Sequence, residues 1–144
     1  MEIELQIEPE RGDILVTVRA PARTPEVEAL LARLDGSEAL LGFQGERAEI
    51  LEPGDVLRFY GEDKEVRAQT AVGVFTVHQR LYELEERFAK HQFARISHSE
   101  IVNLRQVSAL DLSLSGTIRL TLKDGTACYA SRRYVKKIKG VLGL

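Results

Sequence analysis

The sequence predicts a mostly β fold of the α+β class, and three observations carry that prediction. Five short apolar stretches (LLGF, AEIL, DVLRFY, EVRAQT, GVFTV) crowd into residues 38–76, separated by Gly45, Pro53-Gly54 and Gly61-Glu62-Asp63. Three more strand-like stretches cover 105–112, 117–122 and 126–130, joined by Ser115-Gly116 and Lys123-Asp124-Gly125. Helical spacing of apolar residues is confined to three segments. Many short strands at this interval indicate a barrel or layered sheets, and Asp-Gly between apolar runs is a strong hairpin signal.

Taken in order, residues 2–8 alternate strictly: Ile3, Leu5 and Ile7 against Glu2, Glu4, Gln6 and Glu8. A period of two predicts a half-buried strand. Pro9–Asp13 is a turn, and residues 14–19 are the expected hairpin partner. Thr24-Pro25-Glu26 opens a helix: Thr24 caps it, Pro25 suits its first position, and Glu26 and Glu28 favour its positive end. Val27, Leu30, Leu31 and Leu34 form the apolar stripe, and Asp35-Gly36 ends it. Residues 78–90 form the clearest helix, with Leu81, Leu84 and Phe88 on one side and Glu83, Glu85 and Glu86 on the other. Phe93–Ile96 and Glu100–Asn103 are short apolar pieces around Ser97-His98-Ser99. Ser131 caps a last helix, 132–142, with Val135, Ile138 and Leu142 inward and Arg132, Arg133, Lys136, Lys137 and Lys139 on a basic face. The predicted division is a hairpin-helix extension, 1–37, and a main domain, 38–144.

The chain has 144 residues, 44% hydrophobic and 29% charged, enough for a core without disulfides or metals. Its single cysteine, Cys128, excludes an intrachain disulfide and favours a reducing, cytoplasmic setting. Cys128 itself falls in a strand-like ACYA stretch and reads as a small buried hydrophobe. No apolar run is long enough to span a membrane. Three His and one Cys make no dedicated metal site. No G-x-S-x-G, phosphate-binding loop, H-E-x-x-H or dinucleotide fingerprint is present, so the expectation is no enzyme and no cofactor. Ser97 and His98 are adjacent on an extended chain and point to opposite faces, which argues against a nucleophile–base pair.

Net charge is −2, but it is polarised. Residues 1–86 hold 9 Lys and Arg against 19 Asp and Glu; residues 87–144 hold 11 against 3. A segment this basic is an electrostatic footprint for an anionic partner. Arg132 and Arg133 open a helix whose free N–H groups favour phosphate, and arginine reads guanine O6 and N7 with two parallel hydrogen bonds. The alternative is a solvated amphipathic helix with snorkelling cations.

One combined pattern is more specific than its pieces. It runs Arg80-Leu81-Tyr82-Glu83-Leu84-Glu85, then Phe93-Ala94-Arg95-Ile96-Ser97-His98-Ser99-Glu100-Ile101-Val102-Asn103. The hairpin Leu122-Lys123-Asp124-Gly125 follows, then Ser131-Arg132-Arg133-Tyr134-Val135. Gly54-Asp55-Val56 leading into Phe59-Tyr60 adds weaker support. Over about residues 40–142 the chain resembles the LytTR family of bacterial DNA-binding domains. The resemblance implies a mostly β fold of short sheets with one or two flanking helices, docking loops in successive major grooves of double-stranded DNA. It implies contacts from three loops. The first is near Glu62–Arg67, with Val66 at a base-reading position and Lys64 and Arg67 as cations able to serve in its place. The second supplies Ser97, His98 and Ser99. The third supplies Ser131, Arg132, Arg133 and Tyr134, with Lys136 behind, and Arg133 aligned with a base-reading arginine.

The family usually carries a receiver domain upstream, and the first 40 residues are too few to make one. The short start instead resembles stand-alone members, implying a homodimer on repeated half-sites and a small membrane-protein antagonist held through residues 1–37. No small-molecule substrate is expected. The rival expectation is a protein-interaction module, or a regulatory partner of a membrane protein, without direct DNA binding.

Overall fold

The computed structural model describes residues 1–34 and 40–144. The expected helix stop at Asp35-Gly36 and the expected boundary at 37/38 lie outside the described residues. Each expected strand segment from 40 onward forms: β1 (Leu40–Gln44), β2 (Arg47–Leu51), β3 (Val56–Glu62), β4 (Glu65–Thr70), β5 (Gly73–Val77), β6 (Phe93–Ser97), β7 (Glu100–Asn103), β8 (Val107–Asp111), β9 (Ile118–Leu122) and β10 (Ala127–Ala130). The helices are α1 (Pro25–Leu34), α2 (Leu81–Phe88) and α3 (Arg132–Leu142).

The strands make two antiparallel sheets, so the layered alternative is the one realised. The larger has seven strands in the order β2-β1-β5-β4-β3-β7-β6, the smaller three in the order β10-β9-β8. Neighbouring residues of β7 show that the large sheet is covered on both faces there. Ile101 and Val102 are both fully buried, on opposite faces of the large sheet. One face, with Phe59, Ala68, Phe75 and Ile101, packs against Leu84 and Phe88 of α2. The other, with Leu57, Ala94, Ile96 and Val102, packs against Ile118, Leu120, Leu122 and Cys128 of the small sheet and Ile138 of α3. Burial of a side chain like Ile138 contributes about 1.5–3 kcal/mol, and it holds the basic helix against the sheet.

Several local choices are visible in the sequence chemistry. Thr24 Oγ1 accepts the Val27 N–H at 3.3 Å, the expected cap of α1. Glu83 Oε1 accepts the Arg80 N–H at 3.2 Å at the start of α2. Gly42 is a packing glycine: a Cβ there would sit 2.5 Å from Leu51 Cδ1 and 2.8 Å from Phe75 Cβ. Asn103, 1% exposed, donates from Nδ2 to Val56 O at 2.9 Å and accepts the Arg105 N–H at 3.0 Å. It ends β7, starts the 3-10 turn Leu104–Gln106, and delays β8 to Val107.

Two expectations need correction. Residues 2–8 and 14–19 form no strands, and Ile3, Leu5, Ile7, Ile14, Leu15 and Val16 are exposed. Alternation supplies an apolar face but no surface to bury it on, and a lone two-stranded hairpin is marginal in water. Only the turn survives, with Arg11 paired to Glu8 at 2.9 Å and to Asp13 at 3.6 Å. Second, the β3–β4 reversal is not at Gly61-Glu62-Asp63 but one residue on. Asp63 and Lys64 take left-handed φ of 52° and 64°, as a two-residue hairpin turn requires, while Gly61 stays in β3 opposite Val66.

Candidate nucleic-acid interface

Strand order places the three candidate segments side by side. β3 and β7 are antiparallel neighbours, with Tyr60 opposite Glu100. The end of β3 therefore meets the start of β7, and the Gly61 N–H donates to Ser99 O at 2.9 Å. At the other flank of that turn, the Ser131 N–H donates to Ile96 O at 2.8 Å. The β3–β4 hairpin, the Ser97–Ser99 turn and the N-terminus of α3 thus form one continuous rim. α1 lies at the far end of the large sheet, against β1 and β2.

The hairpin presents less than the sequence implied. Lys64 is exposed at its tip, flanked by Glu62, Asp63 and Glu65. Val66 is half-buried and packs against the core shared by the large sheet and α2, so its side chain points inward. Arg67 lies 2.8 Å from Glu65 and 3.8 Å from Glu62, and it also donates to Thr76 Oγ1. Its charge is balanced within its own hairpin.

The middle turn exposes His98 and Ser99. Ser97 is half-buried, and its Oγ accepts the Ser99 N–H at 3.3 Å. At the third segment Ser131, Arg132, Arg133 and Lys136 are exposed. Tyr134 is half-buried and packs on the second core, with the Arg133 guanidinium 5.7 Å from its ring centre. Arg132 lies over Gly116, where a Cβ would come within 2.8 Å of its guanidinium. Among the described residues, no carboxylate is within ion-pair distance of Lys64, Arg132, Arg133 or Lys136.

Behind the rim sits a polar seam that sequence reasoning missed. Arg58 pairs with Glu100 at 2.5 Å and bonds Gln69 at 2.7 Å. Gln69 Nε2 donates across the sheets to Asp124 Oδ2 at 2.8 Å and Thr126 Oγ1 at 2.9 Å. Burial opposes ionisation of Asp124, but hydrogen bonds from Thr126 and Gln69 outweigh it and hold the carboxyl below its usual range. The Cys128 thiol is buried beside Glu100, and both effects push it up to about 12. Arg58, at 3.9 Å, only partly offsets them. A thiol so protonated is a poor nucleophile. Its trace in the sequence is slight: Arg58, Gln69 and Glu100 are single polar residues on three separate strands. Among the described residues, no three His, Cys, Asp or Glu cluster to hold a metal, and no helix is long and apolar enough to cross a membrane.

A layered antiparallel fold that gathers loops and a cationic helix end on one rim defines a β-rich, loop-presenting class of domain. The LytTr DNA-binding domain matches residues 46–143, and the chain belongs to the LytTR family. Its fold is similar to the LytTr DNA-binding domain of a putative methyl-accepting/DNA response regulator from Bacillus cereus. The TM-score is 0.70 at 21% identity, covering 74% of this chain and 97% of that one. The whole chain is 36% identical over 147 residues to an uncharacterized HTH-type transcriptional regulator of Staphylococcus aureus strain MSSA476, and 35% identical to one of strain MRSA252. Each comparison covers 100% of this chain and 99% of the relative. Residues before 46, which the domain match does not reach, are therefore shared with these relatives. The family is one of DNA-binding domains and not an enzyme class.

Proposed function

We propose that this protein is a cytoplasmic, sequence-specific regulator of transcription that sets the Lys64, Ser97–Ser99 and Ser131–Lys136 segments into the major grooves of double-stranded DNA. The observation that carries the proposal is the shared rim: two backbone bonds, Gly61 to Ser99 and Ser131 to Ile96, bring three sequence-distant segments together. Arg133 is the base-reading arginine. Ser131, Arg132 and Lys136 hold phosphate, and His98 and Ser99 donate to bases or phosphate. The hairpin contributes through Lys64. Two copies bind repeated half-sites as a homodimer. The acidic region around α1, at the opposite end of the large sheet, biases orientation by repelling phosphate.

The test is binding of the purified protein to its own upstream DNA against scrambled competitor, across a salt series. Preferential binding with a steep salt slope supports the proposal. Absence of binding at every salt concentration overturns it. A second reading has its own support: the exposed Ile3, Leu5, Ile7, Ile14, Leu15 and Val16 suit a protein contact. Residues 1–37 would then form a separate unit serving a small membrane-protein antagonist, or the whole chain would be an interaction module. The same assay separates the latter, which predicts no DNA binding.

A further inference from the structure

The Ser97–Ser99 turn is held by a residue of the strand that leads into it. Arg95 lies two positions before the turn, on β6. Its Nε donates to Ser97 O at 2.9 Å and its Nη2 to His98 O at 2.6 Å. Its Nη1 lies 3.6 Å from Glu85 Oε1 on α2, and the side chain is only 13% exposed. The pairing of β6 with β7 shifts register between Arg95 and Ser97, where a bulge re-aims the side chains that follow. A guanidinium is planar and offers several N–H groups in fixed directions, so one residue can hold two successive carbonyls and a carboxylate together. An ammonium cannot reproduce that fork.

We propose that Arg95 is a positioning residue for DNA recognition. It fixes the backbone of the turn that presents His98 and Ser99, and through Glu85 it ties that turn to α2. It contacts neither base nor phosphate; it pre-organises the groups that do. This rests on the DNA-binding reading above.

The test is Arg95→Lys in the full chain, with wild type measured in parallel. Three readouts are taken: the affinity ratio for specific over random DNA, the salt slope on random DNA, and amide exchange in the DNA-free protein. The expected result is a specificity ratio lowered by roughly tenfold or more, the loss of one well-oriented contact. The salt slope stays unchanged, because no phosphate contact is removed. The Gly61 amide, which bonds Ser99 O, exchanges faster, while β9 and β10 keep their protection.

A purely structural role would lower both affinities in proportion to the folded fraction and leave the ratio intact; that result overturns the proposal. Failure of wild type to discriminate overturns the DNA-binding reading, and this inference with it. Wild-type discrimination matched by Arg95→Lys overturns this inference alone. Should Arg95→Lys not fold, Glu85→Gln decides: a lowered ratio with faster Gly61 exchange supports the proposal, and an unchanged ratio overturns it.

Discussion

The β3–β4 hairpin and the N-terminus of α3 both bring arginine to the same rim, with opposite electrostatic outcomes. Arg67 is held by Glu62 and Glu65 and bonded to Thr76. Arg132 and Arg133 stand on a helix with no Asp or Glu anywhere after Asp124. The hairpin is self-neutralised and the helix end is an open cationic surface. A count of basic residues does not measure attraction for phosphate; what matters is which cations retain no anionic neighbour.

The largest effect that would sharpen this contrast is Arg133→Ala. It is expected to cost about 1–3 kcal/mol of specific binding and to relax preference at one base pair. Arg67→Ala is expected to leave specific affinity within about threefold, and its partly exposed ion pairs contribute no more than ~1 kcal/mol to stability. Competition binding of both variants reads this directly, and equal losses would break the contrast. Next in size is the double change Glu62→Gln with Glu65→Gln. It frees Arg67 and is expected to strengthen binding to every DNA sequence and steepen the salt slope by about one. An unchanged slope would mean that Arg67 does not face phosphate even when released.

Lys136→Ala is smaller. It is expected to reduce the salt slope by about one, roughly a threefold change in affinity between 50 and 200 mM salt, with the specificity ratio unaltered. A salt titration on operator and random DNA checks it.

Near neutral pH the smallest effect belongs to the seam that joins the two regions. The Cys128 pKa is raised in the fold, to about 12. Its contribution is fully present below the unfolded thiol value near 9 and is lost as pH rises from there toward 12. Denaturant melts are therefore expected to show no Cys128-dependent change between pH 6 and 8, and a loss above about pH 9 that Cys128→Ala removes. Rapid alkylation of the native thiol at pH 7 would contradict this burial.

Much of the fold was legible because its signals are local. Gly45 and Asp124-Gly125 mark turns, period-two apolar runs mark strands, and Leu81, Leu84 and Phe88 mark α2. The family pattern added the three contact segments. It could not say which side chains those segments would present. Val66 faces the core because β4 alternates from Ala68, which is 0% exposed, so its neighbour Arg67 takes the other side. Arg95 stands in the family pattern with no role assigned by it; only the structure shows its guanidinium folded back on the turn.

By itself, the sequence determined most of the strands, turns and helices from residue 40 onward, that charge divides acidic from basic along the chain, and that Ser131–Lys136 carries cations without local anions. These follow from residue spacing, turn chemistry and composition, which need no partner. Only the tertiary structure decided which apolar faces find a cover. Residues 2–8 alternate as cleanly as any strand in the molecule and 14–19 are as apolar, yet both stay unpaired and their apolar side chains exposed. Tertiary structure also decided that Lys64, Ser97–Ser99 and α3 share one rim. That placement follows from the β3–β7 pairing and the docking of Ile138, which bring together positions far apart in the chain.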